Sequence, residues 1–135
     1  MATIYKDFIV NPPADFVWDA IRDVGAVNTR LAQGFVTNTV LCGDMRTVTF
    51  SNGNTVREQI ITISDELRRL SFTAINGRAS HHNSYFQVSD MPEGNTRTVW
   101  VTDLLPDDIK APIVQMVESG LVSIQQTLER LLKGA

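Results

Sequence analysis

The stretch Met45–Ser64 reads MRTVTFSNGNTVREQIITIS. Two runs rich in β-branched residues flank Asn52-Gly53-Asn54, and Asn-Gly between alternating runs is a strong hairpin signal. Side chains alternate between the faces of a strand, so Arg46, Val48 and Phe50 share one face and Thr47, Thr49 and Ser51 the other. In the second run Val56, Glu58 and Ile60 stand together against Thr55, Arg57 and Gln59. Ile61 and Ile63 reverse that phase, which predicts a bulge or two-sided burial near Ile60. A two-residue Asn52-Gly53 turn would pair Val48 with Arg57. A three-residue turn including Asn54 pairs Val48 with Glu58, keeps both apolar sets on one face and sets Arg46 diagonally from Glu58.

Working outward, the same texture recurs in Thr3–Val10, Phe35–Cys42, Leu67–Ile75, His82–Ser89 and Thr96–Leu104. Short turns at Gly43-Asp44, Asp65-Glu66, Asn76-Gly77 and Met91–Asn95 link all but the first, so sequence neighbours should pair antiparallel as a meander. Asn11-Pro12-Pro13 stops the first strand, with Asn11 or Pro12 expected to cap a short helix. Phe16, Val17, Ala20, Ile21 and Val24 give that helix one apolar face, and Gly25 is its expected stop. Residues 26–34 read as a second helical turn and a loop. After Pro106-Asp107-Asp108, apolar residues from Ile109 to Leu132 recur at three- and four-residue spacing, which predicts a long amphipathic helix. Pro112 is tolerated only near a first turn, so the regular helix is expected to begin nearer Ala111. The class is α+β: a seven-stranded antiparallel sheet with one long helix to cover one face, and a twisted sheet curling round a single helix leaves space between them.

Of the 135 residues, 43% are apolar, enough for one domain spanning residues 1–135 with its own core. Cys42 is the single cysteine, so no internal disulfide forms. No run is long and apolar enough for a membrane helix, and the N-terminal residues lack the pattern of a secretory signal, so a cytoplasmic location is expected. Twelve basic residues against fifteen acidic ones give a net charge of −3, and the basic residues form no stripe, which argues against nucleic-acid binding. There is no nucleophile elbow, phosphate loop or dinucleotide fingerprint, so no cofactor is expected. His81 and His82 are adjacent on a strand and point to opposite faces, so they do not chelate one metal, and no metal is expected.

Three strings resemble the START-like (SRPBCC) superfamily, the polyketide cyclase/dehydrase and lipid-transport-like proteins. They are Asn11–Asp23 (NPPADFVWDAIRD), Thr55–Gly77 (TVREQIITISDELRRLSFTAING) and Thr96–Asp103 (TRTVWVTD). In order and spacing they cover almost the whole chain, and the layout is similar to that of the plant abscisic-acid receptors and of small bacterial proteins of unassigned ligand. The resemblance implies a helix-grip fold that binds a small hydrophobic molecule between sheet and helix, with some members acting on it chemically. It also implies that Arg46 and Glu58 are polar cavity residues, and that Phe72, Ala74, Tyr85, Gln87, Trp100, Thr102 and Leu104 line the wall.

The residues fit that implication. A carboxylate facing an apolar interior must be paired, hydrated or protonated, so Arg46 and Glu58 either anchor a ligand's polar end or pair structurally. Tyr and Trp offer apolar area with one hydrogen-bonding edge, which suits an amphipathic guest. Val48, Phe50 and Ile60 are the expected apolar neighbours. Gly120 lies mid-helix, beside Met116 and Ile124. There it either makes room for a ligand or lets two backbones pack closely. His82, at the mouth end of its strand, gates the cavity, acts as an acid or base, or is an exposed loop residue.

Three functions follow. One is a non-catalytic module that binds, carries or senses a small hydrophobic or amphipathic molecule. A second is a polyketide cyclase/dehydratase-like enzyme using Glu58, Tyr85 or His82 as acid/base. A third is an interaction domain with a filled core, for which a homodimer is open.

Overall fold

The computed structural model describes residues 2–134. Its elements in order are β1 (Ala2–Val10), α1 (Ala14–Arg22), a π-helical turn (Val27–Leu31), β2 (Val36–Cys42), β3 (Met45–Phe50), β4 (Thr55–Ser64), β5 (Arg69–Ala74), β6 (His81–Asp90), β7 (Thr96–Leu105), a 3-10 turn (Asp107–Ile109) and α2 (Lys110–Gly134). All seven strands form one antiparallel sheet in the order β1-β7-β6-β5-β4-β3-β2. From β2 to β7 each strand pairs with its neighbour in sequence. Only β1 with β7 joins distant segments. This is the helix-grip architecture that the residue pattern predicts.

The meander's local chemistry differs from expectation at three places. The first hairpin closes around Ser51-Asn52-Gly53, with the Phe50 amide donating to the Asn54 carbonyl at 2.8 Å and Gly53 at φ +88. A three-residue hairpin loop needs its left-handed residue last, and Gly53 fills that position without a Cβ penalty. The turn is therefore centred one residue earlier than expected. Val48 pairs with Val56, not Glu58, and Arg46 stands directly opposite Glu58 instead of diagonally. Second, Pro13 in extended conformation caps α1, and the helix ends at Arg22 with Asp23 as its C-cap. Gly25 is not the stop. Its backbone lies against Leu41, whose Cβ would be 3.2 Å from an added methyl. Third, β5 starts at Arg69, because Leu67 and Arg68 complete the turn, Arg68 at φ +49. The predicted bulge is present: the β4–β5 register shifts between Ile60 and Thr62, leaving Ile61 and Ile63 outside.

The core has two parts. Under α1 and the π-helical turn, Val17, Ile21, Leu31, Leu70, Phe86, Val88 and Leu128 pack together. Ala2, Ile4, Leu104 and Val117 form a smaller cluster beneath the first half of α2. The two halves of α2 are held differently. In the C-terminal half, Ser123 Oγ donates to the Gln33 carbonyl (3.1 Å) and Thr127 Oγ1 accepts from the Gln33 amide (2.9 Å). Leu128 beside them is fully buried, so truncating it to alanine should cost about 2–5 kcal/mol. α2 begins at Lys110, one residue before the expected Ala111, and Pro112 sits in its first turn as required. The N-terminal half carries only Val117 and Gly120 as buried residues. It spans the concave side of the sheet without filling the space beneath it.

Candidate ligand cleft

That space is an open cleft of about 750 Å³. The β3–β4 hairpin (Phe50 to Val56), the β5–β6 loop (Asn76 to Ala79), Phe35 and α2 from Pro112 to Ser119 enclose it. Behind it lies an inner recess of about 80 Å³ lined by Arg46, Val48, Glu58, Phe72, Ser84, Phe86, Trp100, Thr102, Gly120 and Ile124. Phe35, Phe50, His82 and Met116 border both. Ala74 is at the outer cleft. The combined volume lies in the range of small-molecule sites, roughly 300–1,000 Å³.

Strand alternation positions the floor. Phe72 stacks beside Phe86 (ring centroids 6.2 Å apart), and Phe86 stacks on Trp100 (4.7 Å). The Phe50 ring meets Phe35 edge-on at 5.3 Å. Gly120 is pressed against this aromatic floor. An added Cβ would sit 3.1 Å from Trp100 Cη2 and 3.3 Å from Phe35 Cε2, so any larger residue would require the rings to give by a few tenths of an ångström. Ile60 packs against the core as a partly buried residue but lies on neither cavity wall.

The polar groups gather at one end. Arg46 is 4% exposed and donates from Nε to Glu58 Oε1 at 2.8 Å and from a terminal nitrogen to the Val24 carbonyl at 3.3 Å. Its guanidinium also lies 4.7 Å from the centre of the Phe72 ring. The pair is thus buried and triply supported, as a charge removed from water requires. Glu58 pairs with Ala74, and Thr73 pairs with Asn83, so continuing the register puts His82 beside Ala74 on its other side. His82 is held neutral. Burial lowers its pKa from the ordinary 6.5, the field of Glu58 opposes this, and His81 adds to the lowering. Ser84 and Thr102 sit opposite each other in β6 and β7, with their hydroxyls 2.8 Å apart.

Three expected wall residues are elsewhere: Leu104 is buried in the second core cluster with Ile4 and Val117, and the other two leave the concave side. Tyr85 and Gln87 project from the convex face, because β6 turns Ser84, Phe86 and Val88 inward. The Arg69 guanidinium covers the Tyr85 ring at 3.8 Å, and Gln87 Nε2 donates to the Leu67 carbonyl at 3.2 Å. Ser84 and Phe86 take their places. The alternation Ser84-x-Phe86-x-Val88 is the signal for this, since the other set contains no aliphatic residue. Phe35, expected to open a strand, lies in the turn before β2 and borders the cleft, and Asn52, Asn54, Asn76 and Arg78 form a polar rim from loops, which carry no strand phase.

The sequence matches the family described as polyketide cyclase/dehydrase and lipid transport over residues 1–133. No curated protein matches it. Among solved structures, protein XoxI from Bacillus cereus is similar at 20% identity and a TM-score of 0.83, covering 97% of this chain and 98% of that one. An uncharacterized protein from Bacillus thuringiensis is similar at 18% identity and a TM-score of 0.82, covering 94% and 98%. A norcoclaurine synthase point mutant from Thalictrum flavum, in complex with a transition-state analogue, aligns at 16% identity and a TM-score of 0.72, covering 98% and 94%. At these identities the likeness establishes the fold. Among the described residues, no helix is long and apolar enough to cross a membrane, and no group of three or more His, Cys, Asp or Glu side chains is placed to hold a metal ion.

Proposed function

The chain belongs to the polyketide cyclase/dehydrase and lipid transport family, within the START-like (SRPBCC) superfamily, and on that premise we propose that it acts as a single unit that binds a small hydrophobic or amphipathic molecule in the cleft under α2. The observation that carries this reading is the 750 Å³ cleft continuing into an aromatic recess. Apolar area would supply most of the affinity. At about 25 cal/mol per Å², burying roughly 250 Å² of a guest gains about 6 kcal/mol, before the cost of immobilising it. One or two neutral hydrogen bonds add only about 1 kcal/mol each. The polar groups therefore orient the guest more than they hold it.

The test is a binding titration with the fluorescent probe 1-anilinonaphthalene-8-sulfonate, paired with thermal unfolding. A probe that binds only the native state raises the melting temperature. Saturable binding with a raised melting temperature, abolished by Met116→Trp at the shared border of cleft and recess, supports the reading. Unchanged binding in that variant places the probe elsewhere and defeats it.

A second reading has one observation in its favour. Glu58 and a neutral His82 face the same space across Ala74, a suitable spacing for an acid and a base acting on one guest. The norcoclaurine synthase likeness supports the idea that this fold can carry catalysis. Tyr85, on the convex face, has no part in it. Turnover of a bound guest, lost in both Glu58→Gln and His82→Gln while binding persists, would establish this reading over simple carriage.

A further inference from the structure

Beside the inner recess, one hydroxyl proton and one indole N–H have no acceptor within hydrogen-bond distance among the described residues. Ser84 is 2% exposed and Thr102 1%, and each hydroxyl finds its only partner among the described residues in the other, at 2.8 Å. Two hydroxyls carry two protons, and one bond between them uses one. The second proton has no acceptor among the described residues. Trp100 Nε1, on a ring lining the same recess, is also buried without a partner. An unsatisfied buried donor costs about as much as a lost hydrogen bond, so the spare hydroxyl proton, with the unpaired indole N–H of the next same-face cross-strand pair along β6 and β7, marks a candidate acceptor site. Glu58 and His82 line the same recess and carry lone pairs, but neither side chain is hydrogen-bonded to Ser84, Thr102 or Trp100.

We infer that this wall is a specificity subsite for a hydrogen-bond acceptor at the deep end of the guest, a carbonyl or ether oxygen, read by the Ser84–Thr102 pair and Trp100. The inference rests on the binding function proposed above and makes it more specific. The guest enters with an apolar face against Phe72, Phe86 and Trp100. Its innermost oxygen then receives the spare hydroxyl proton and the indole N–H. The hydroxyl pair can reverse its donor, so the proton can be delivered from either β6 or β7. This lets the wall follow small shifts of the oxygen.

The experiment uses 2-acetonaphthone and its isostere 2-ethylnaphthalene, each displacing 1-anilinonaphthalene-8-sulfonate from the full chain. The expected result is that the ketone binds about tenfold tighter than the hydrocarbon after correction for their water solubilities, and that its carbonyl stretch moves to lower frequency on binding. Ser84→Ala alone leaves Thr102 free to donate and keeps most of the preference. Ser84→Ala with Thr102→Val, and separately Trp100→Phe, should each reduce it at least threefold and reverse part of the frequency shift. Circular dichroism confirms that each variant is folded. If ketone and hydrocarbon displace the probe equally well, the donors are satisfied by internal water and the subsite is refuted, while the binding function stands. If the variants keep the full preference, the subsite is refuted as well. If the probe does not bind the wild-type chain at all, the binding function itself fails.

Discussion

Glu58 and His82 flank Ala74 in one cross-strand row, so a carboxylate and an imidazole face each other across the smallest side chain on the cleft floor. Adjacent strands lie about 4.8 Å apart, which sets the two backbones roughly 10 Å from one another. The methyl of Ala74 fills little of that gap. Ala74→Leu should fill it, weaken probe binding about tenfold and leave the fold intact, since the position is only half-buried. Titration with 1-anilinonaphthalene-8-sulfonate alongside circular dichroism checks this.

Burial of His82 has a signed consequence for stability. Its folded pKa lies below the ordinary 6.5. The unfolded chain therefore takes up a proton first as the pH falls, and stability is lost. The melting temperature should be level above about pH 7 and decline below 6.5 until the folded-state pKa is reached. His82→Gln should flatten that decline. Parallel melts from pH 8 to pH 5 decide it, and equal slopes for the two proteins would count against a buried imidazole.

The Arg46–Glu58 pair should behave as a unit. Arg46→Met leaves a carboxylate facing an aromatic floor and should cost about 3–5 kcal/mol. Glu58→Gln should cost less, because the amide oxygen still accepts from Arg46. The double replacement Arg46→Met/Glu58→Leu should recover much of the loss. Urea denaturation of the wild type, Arg46→Met, Glu58→Leu and their double measures the coupling, and strictly additive losses would contradict it.

Gly120→Ala sets two effects against each other. Alanine gains about 1 kcal/mol of helix propensity. Its methyl, at 3.1 Å from Trp100 and 3.3 Å from Phe35, overpacks a stacked floor at a cost of roughly 1–3 kcal/mol. The net expectation is a loss of up to about 2 kcal/mol with a matching fall in probe affinity as the recess narrows. A more stable variant with unchanged affinity would show that the rings yield freely.

The architecture was legible because its signals are periodic. Alternation in Met45–Phe50 and spacing along Ile109–Leu132 each repeat several times, and a period survives an error at one residue. The site was less legible. Arg46 and Glu58 stand out as charges inside apolar phases, and they do meet. The resemblance sets Tyr85 on the wall, yet in β6 the register with β5 turns Phe86 inward and leaves Tyr85 to Arg69. The first hairpin shifted by one residue because Ser51 carries no mark of its turn position, whereas Gly53 does. The donor surplus at Ser84 and Thr102 depends on a pairing across two strands, which neither residue's own sequence context encodes.

The unequal anchoring of α2, hydrogen bonds in one half and a small apolar cluster under the other, makes it a lever. Ser123 and Thr127 pin the helix to Gln33, and the inner recess ends beside Ala32 and Ile124, next to that fulcrum. A bulky guest pushes on the N-terminal half, which is held by apolar packing around Val117 and the Lys6–Glu118 pair and has the open cleft beside it, so a small tilt there makes space more readily. An elongated guest meets the pinned end, where nothing yields. Girth should therefore be tolerated and reach should not, so that a homologous series of n-alkyl chains would bind with rising strength up to one length and then stop abruptly.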